Sequence, residues 1–167
     1  FEKLISNNPR DIRGYLGLAK IYTEHLEFQK AIYYHENVLK IKPKYAHSSY
    51  QLGLLYFRLN QSDKAISFLI DTINNDPSFS KAYISLGKVY EKNEDYDKAL
   101  AFFQKAVSFE NNVEALYFIA ELYRKKNILN VALDYYLKVL DINPEHLEAN
   151  FKVGLYFFEK GKSVGFF

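Results

Sequence analysis

The sequence repeats a pattern about every 34 residues, and this period restricts the possible folds more than any other feature. Five segments of similar sequence place an aromatic residue at Tyr22, Tyr56, Tyr90, Tyr123 and Phe157, with successive spacings of 34, 34, 33 and 34 residues. Nine residues after each of the first four comes an alanine, namely Ala31, Ala65, Ala99 and Ala132. Such a period indicates an array of small structural repeats stacked along the chain.

Each repeat carries two helical patterns. In the third repeat, apolar and small residues three and four positions apart predict one helix over about 81–93 and a second over about 96–109. Asp95 stands immediately before the second helix, where an N-cap is expected. Pro43, Pro77 and Pro144 end the first, second and fourth repeats, because the residue before a proline is disfavoured in a helix.

Small residues recur at matching positions of both helices. The first helices carry Ala19, Gly53, Gly87, Ala120 and Gly154 at one position, and the second helices carry the four alanines named above. A residue with little or no side chain allows two backbones to approach closely. We therefore expect the two helices of a repeat to pack at these positions, with aromatic rings filling the space around them.

The Leu-Gly-x-x-Tyr segments, the alanines and the prolines resemble the tetratricopeptide repeat, a family of 34-residue helix–turn–helix units. The resemblance implies an all-α, right-handed solenoid of stacked antiparallel helix pairs. It divides the chain into the end of a preceding repeat (1–11), four repeats (12–45, 46–79, 80–112 and 113–146) and a partial repeat or capping helix (147–167). On this division the chain is expected to be a section of a longer solenoid.

Two features depart from the family pattern. The third repeat is one residue short and has Asn111 where the others have proline. At one position of the first helix where an aromatic residue is expected, three repeats instead have Ser49, Leu116 and Asn150. We expect these departures to change local packing and not the fold.

Composition and motifs argue against several classes of function. The chain has no cysteine, which removes disulfides and thiolate chemistry, and its net charge of +2 is too small to indicate nucleic-acid binding. The histidines, His25, His35, His47 and His146, lack the spacing of metal ligands. No apolar run approaches the roughly 18 residues of a membrane span. We therefore expect no catalytic residues, cofactor, metal or membrane span in this segment.

The resemblance also implies where a partner binds, since the first helices of this family line the concave face of the solenoid. The predicted groove residues are Arg13, Lys20, Tyr50, Gln51, Leu54, Phe57, Arg58, Lys81, Lys88, Lys92, Tyr117, Phe118, Glu121 and Arg124. Aromatic residues and arginine are favoured at binding hot spots, and Lys81, Lys88 and Lys92 form a basic stripe that suits an acidic peptide. The leading hypothesis is a non-catalytic scaffold that binds a peptide or helix of a protein partner in this groove.

Two alternatives remain open. Phe151, Leu155 and Phe158 lie on the first helix of the last, partial repeat. The segment Gly165-Phe166-Phe167 does not resemble the polar cap that the ends of a solenoid need. Unless further repeats follow, this surface favours self-association into a homo-oligomer. The other alternative is a targeting or tethering module of a larger enzyme.

Overall fold

A computed structural model describes residues 1–109 and 112–164, with side chains up to residue 161. The described residues form ten α-helices and no β-strand. The helices are α1 (Glu2–Asn7), α2 (Ile12–Glu24), α3 (Phe28–Ile41), α4 (Ala46–Arg58), α5 (Ser62–Asn75), α6 (Ser80–Lys92), α7 (Tyr96–Val107), α8 (Val113–Lys125), α9 (Leu129–Ile142) and α10 (Leu147–Val164). From α2 onwards they alternate as first and second helices of successive repeats. The all-α helical-repeat fold predicted from the period is confirmed.

The ends of α7 follow local side-chain signals. The Asp95 carboxylate accepts a hydrogen bond from the backbone N–H of Lys98 at 3.2 Å, which confirms the predicted N-cap. The helix ends at Val107, earlier than predicted, and the Ser108 hydroxyl donates to the Lys105 carbonyl at 2.7 Å. Such a bond competes with continuation of the helix. Asn111, the position of the missing proline, lies outside the described residues.

The turn between the two helices of a repeat has the same backbone form four times. A residue other than glycine adopts a left-handed φ of 58° to 62° at Leu26, Asn60, Glu94 and Asn127. The backbone N–H of the next residue donates to the carbonyl of the aromatic residue that marks the repeat, for example from Glu27 to Tyr22 at 2.8 Å. This Schellman arrangement ends the first helix and sets the direction of the second.

The chain forms two compact parts, residues 1–89 and 90–167, which we call the N-terminal part and the C-terminal part. In the N-terminal part, Gly53 of α4 packs closely on α5. A Cβ at Gly53 would lie 2.7 Å from Leu69 Cγ and 3.4 Å from the carbonyl oxygen of Ala65. The predicted close approach at this glycine is therefore confirmed.

One aromatic pair joins the two helices of each repeat. The pairs are Tyr22–Tyr34, Tyr56–Phe68, Tyr90–Phe102 and Tyr123–Tyr135, with ring centroids 5.4 to 5.7 Å apart and interplanar angles of 3° to 15°. Each stacked pair adds about 0.5–1.5 kcal/mol beyond the burial of its area. The chain has 15 tyrosines and 14 phenylalanines, and eight of these rings are thus used in packing between the helices of a repeat.

In the C-terminal part, small residues again lie in the helix contact, with one exception. Ala120 of α8 and Ala132 of α9 belong to a buried cluster with Tyr136 and Val139. The prediction of close packing is wrong for Gly154 of α10, which is exposed and has no neighbouring atom within 4 Å of a Cβ built there. The reason is that no second helix packs on this side of α10 among the described residues.

Candidate interaction surfaces

A cleft opens between the first helices α2 and α4 of the N-terminal part. Its volume is about 580 Å³. The cleft, which we call the α2–α4 cleft, is lined by Leu16, Gly17, Lys20, Thr23, Glu24, His35, Tyr45, His47 and Gln51. Two predicted groove residues, Lys20 and Gln51, are therefore brought together on one concave surface.

His35 forms the bottom of the α2–α4 cleft. Its side chain comes from α3 and is only 3% exposed, and its Nδ1 lies 3.2 Å from the hydroxyl of the buried Ser48 on α4. Burial, with a smaller contribution from His47, lowers the pKa of His35 to about 4. Because burial disfavours the charged ring, His35 is neutral at physiological pH.

The two predicted groove cations of α2, Arg13 and Lys20, differ in how closely each pairs with a carboxylate. The Arg13 guanidinium donates to the Asp11 carboxylate, with Nε 2.9 Å from Oδ2, and holds the pKa of Asp11 at about 2. Lys20 Nζ lies 3.9 Å from Glu24 Oε1, and the Lys20 side chain is 78% exposed. A partner can therefore reach Lys20, which is only loosely paired at the edge of the cleft.

The predicted groove residues of α4 are partly used in internal packing. Tyr50, Gln51, Leu54 and Phe57 are half-buried, while Arg58 is exposed. The Tyr50 ring packs on Phe79 with centroids 4.8 Å apart, and the Arg58 guanidinium lies 5.7 Å from the centroid of the Phe28 ring. Only part of the Tyr50 and Phe57 side chains is therefore accessible to a partner.

The basic stripe of α6 is unevenly exposed. Lys81 and Lys92 are exposed and Lys88 is half-buried. Ile84 and Ser85, on intervening turns of the helix, are buried at 3% and 8% exposure. The burial of Ile84 and Ser85 therefore reduces the part of the α6 surface that is exposed to solvent.

Glu121 of α8 connects several side chains of the C-terminal part. Its carboxylate accepts hydrogen bonds from Arg124, at 2.7 Å from Nη2, and from the phenol of Tyr136, and Lys152 Nζ lies 3.9 Å away. Burial alone would raise the pKa of Glu121, but the hydrogen bonds from Arg124 and Tyr136 outweigh it and lower the pKa. Burial and the bond to Glu121 raise the pKa of Tyr136. Glu121 and Arg124 are thus structural partners of each other.

The two predicted groove aromatics of α8 are half-buried. The Phe118 ring stacks on Phe103 of α7, with centroids 5.2 Å apart and planes 15° from parallel. Tyr117 stacks on the imidazole of His146 at 5.1 Å. Like the aromatics of α4, they support the helix packing and leave only part of each ring accessible.

The predicted self-association residues of α10 are exposed. Phe151 is 66% exposed, Leu155 40% and Phe158 61%. The Gly165-Phe166-Phe167 segment that follows lies outside the described residues. These three side chains form an apolar surface on α10 among the described residues.

Neither a metal site nor a membrane-spanning helix is found in the described stretches of the chain. No group of three or more His, Asp or Glu side chains within them is placed to hold a metal ion. None of the helices there is both long and apolar enough to cross a membrane.

Only Lys20 and Gln51 of the nine residues that line the α2–α4 cleft are in the predicted groove set, and His35 and Tyr45 are among those that are not. A signal for His35 was present, because the same position of later repeats holds Leu69, Phe103 and Tyr136. A polar residue at a position that is otherwise large and apolar marks either a buried hydrogen bond or a site.

Paired helices of recurring register, with clefts between first helices, define a helical-repeat protein. Residues 113–146 match the model of the tetratricopeptide repeat, and residues 24–106 match the model of the anaphase-promoting complex, cyclosome, subunit 3. The chain is therefore a protein that contains tetratricopeptide repeats. Proteins of this family are generally non-catalytic scaffolds for protein interactions, and the fold supports this class of function here.

Several solved structures share the fold. MamA is 24% identical with a TM-score of 0.80, over 88% of this chain and 86% of the MamA chain. A thermophilic TPR protein of Thermus thermophilus is 23% identical with a TM-score of 0.76, over 94% and 87% of the two chains. YrrB, described as a TPR protein with an unusual peptide-binding site, is 22% identical with a TM-score of 0.75, over 96% and 83%. No curated protein matches the sequence.

Proposed function

We propose that the chain is a non-catalytic scaffold that binds a peptide segment of a partner protein, and that the α2–α4 cleft is the binding site of its N-terminal part. The observation that carries this proposal is a cleft of about 580 Å³ with the accessible Lys20 at its edge. This volume is in the range of sites that hold small ligands or one peptide side chain with its neighbours. YrrB, a protein of similar fold, is described as having a peptide-binding site.

The chemistry of the cleft favours an acidic peptide with an apolar residue. Leu16 and Tyr45 provide apolar wall, and Gln51 offers an amide that can both donate to and accept from a peptide backbone. Lys20 attracts a carboxylate, and competition from Glu24 is weak at 3.9 Å. The peptide therefore carries an Asp or Glu next to an apolar side chain that enters the cleft.

The test is a set of fluorescent peptides that share one apolar core and differ only in Asp or Lys flanks. Binding to the chain is followed by anisotropy at low and raised salt. We expect the Asp peptides to bind more tightly, and Lys20→Glu to weaken them about tenfold, which is the effect of about 1.4 kcal/mol. Lys40→Glu, an exposed lysine of α3 outside the cleft lining, is the charge-matched control. Equal losses in both variants, or no binding by any peptide, would contradict the proposal.

Self-association through α10 is a second candidate function. It is favoured by the exposure of Phe151, Leu155 and Phe158 at 66%, 40% and 61%. Sedimentation velocity over a range of concentrations tests it, with the double variant Phe151→Ser and Phe158→Ser as the dissociated reference. A chain that stays monomeric at the highest concentration excludes this candidate.

A further inference from the structure

The hydrogen bond between Ser48 and His35 determines which ring nitrogen of His35 carries a proton. The Ser48 side chain is fully buried, and its hydroxyl has one hydrogen-bond partner among the described residues, Nδ1 of His35 at 3.2 Å. A buried hydroxyl that donates to no acceptor is strongly destabilising. Ser48 therefore donates to Nδ1, and Nδ1 accepts this bond without a proton of its own.

The ring proton of His35 then lies on Nε2. Burial lowers the pKa of His35 to about 4, so the ring is neutral at physiological pH and holds a single proton. Nε2 has no hydrogen-bond partner among the described residues. No side-chain nitrogen or oxygen of these residues is both fully buried and without a partner, so Nε2 reaches the surface. Because His35 lines the α2–α4 cleft, its Nε2–H is a donor that opens into the cleft.

The same position of the fourth repeat shows what a donor at this place can bind. Tyr136 is equivalent to His35, is also 3% exposed, and donates its phenol to the carboxylate of Glu121. Glu121 is in turn equivalent to Lys20. In the C-terminal part the chain therefore supplies the carboxylate itself. In the first repeat a lysine stands at that position, and the donor has no such partner.

Glu24, the carboxylate that lines the α2–α4 cleft, does not take the place of Glu121. Its side chain is 59% exposed, and its Oε1 lies 3.9 Å from Nζ of Lys20. Within the described part of the chain, Glu24 forms no hydrogen bond with His35. The carboxylate that would complete the arrangement seen in the fourth repeat therefore has to come from the ligand.

We propose that the α2–α4 cleft takes up the side-chain carboxylate of an Asp or Glu of its ligand, and that the Nε2–H of His35 donates a hydrogen bond to it. This inference rests on the proposed function, because it names the peptide group that the cleft recognises and the residue that recognises it. A side chain is favoured over a chain terminus because the counterpart in the fourth repeat, Glu121, is a side chain. Lys20 at the edge supplies the counter-charge that a carboxylate inside the cleft needs.

The first test locates the ring proton in the free chain, labelled with ¹⁵N-histidine. Two-bond ¹H–¹⁵N correlations distinguish the tautomers of the 4 histidines, and the His35 signals are those missing from a His35 variant. We expect the proton on Nε2, with this N–H exchanging readily with water. A proton on Nδ1 would overturn the proposal. So would an Nε2–H that is already protected from exchange, because another group of the chain then occupies it.

The second test compares two peptides. The first is the Asp-flanked peptide described under the proposed function, now amidated at its C-terminus, and the second has Asn in place of each Asp. We expect the wild-type chain to prefer the Asp peptide at least about tenfold, since hydrogen bonds to charged groups are the stronger ones. The Asp peptide should also shift the Nε2 signal of His35 and protect its proton from exchange. The signals of His25, which lies outside the cleft lining, should not move.

Two double variants separate the donor from the packing of the ring. His35→Leu with Ser48→Ala removes the donor and the hydroxyl that needs an acceptor, and should reduce the preference for the Asp peptide at least about tenfold. His35→Gln with Ser48→Ala keeps an N–H near the place of Nε2 and should retain most of the preference. Circular dichroism checks that both variants are folded. An equal loss in both would overturn the proposal, because the ring would then act only through packing.

The remaining outcomes distinguish this proposal from the proposed function. If Lys20→Glu weakens the Asp peptide but loss of the His35 donor leaves the preference unchanged, the cleft binds peptides and the role of His35 is wrong. If binding requires a free C-terminal carboxylate, the cleft takes a chain terminus and the assignment to a side chain is wrong. If no peptide binds, the proposed function and this proposal both fail.

Discussion

Nδ1 of His35 lies 3.2 Å from the hydroxyl of Ser48, and both side chains are buried where α3 meets α4. The pKa of His35 in the folded chain is about 4, against about 6.5 when the chain is unfolded. Between these values the unfolded chain binds more protons, so stability falls as the pH is lowered from 6.5 to 4. The difference corresponds to about 3 kcal/mol, and all of this stability is present above pH 6.5.

The measurement is urea unfolding of the wild-type chain across this pH range, beside the double variant His35→Leu with Ser48→Ala. These substitutions introduce the residues found at the same positions of the next repeat, Leu69 and Ala82. We expect the double variant to lose most of the pH dependence. His25→Gln, at an exposed histidine, should keep it, and a double variant with the wild-type slope would show that another group titrates.

Leu26→Gly should stabilise the chain. Leu26 has a φ of 60° and is 66% exposed, so it bears the cost of the left-handed region with little burial to offset it. We expect the free energy of unfolding to rise by about 0.5–1 kcal/mol, as measured by urea unfolding. His25→Gly should instead lower the free energy of unfolding. The φ of His25 is −85°, so glycine relieves no strain there and only increases the conformational freedom of the unfolded chain. A loss of stability in both variants would contradict this explanation.

The 34-residue period was enough to predict the helix pairs, since spacing alone places the aromatic and small residues on facing sides. The resemblance to the repeat family predicted Lys20 and Gln51 on a common surface, because the first helices of that family line the concave face. His35 could not be placed in this way, since it reaches the cleft from a second helix. Its position depends on how closely α3 approaches α4.

The sequence pattern also could not predict contacts between individual side chains of different helices. The pairing of Arg124 with Glu121 follows from their spacing of three residues on one helix. The bond from Tyr136 to Glu121 requires the packing of α8 on α9. Gly154 shows the opposite limitation. The sequence pattern predicts a close helix contact at this residue, but the described part of the chain contains no helix that makes the contact.

Tyr136→Phe should destabilise the C-terminal part. The phenol of Tyr136 donates to the half-buried Glu121 carboxylate, and hydrogen bonds to charged groups contribute about 1.5–3 kcal/mol. Without this donor the pKa of Glu121 should also rise, because that bond helps to lower it. Urea unfolding and a ¹³C NMR titration of the Glu121 carboxyl measure the two effects. Tyr135→Phe, at a ring that stacks on Tyr123, is the control and should change stability by less than about 0.5 kcal/mol.

One methyl group should have opposite effects at two glycines of equivalent position. Gly53→Ala places a Cβ 2.7 Å from Leu69 Cγ, and the branched side chain cannot move without disturbing α5. We expect a loss of about 1–3 kcal/mol, as for other overpacked contacts. Gly154→Ala meets no atom within 4 Å, and the gain in helix propensity should raise stability by about 0.5–1 kcal/mol. Urea unfolding of both variants measures the difference. If Gly154→Ala lost as much stability as Gly53→Ala, the open edge of α10 would be covered in solution.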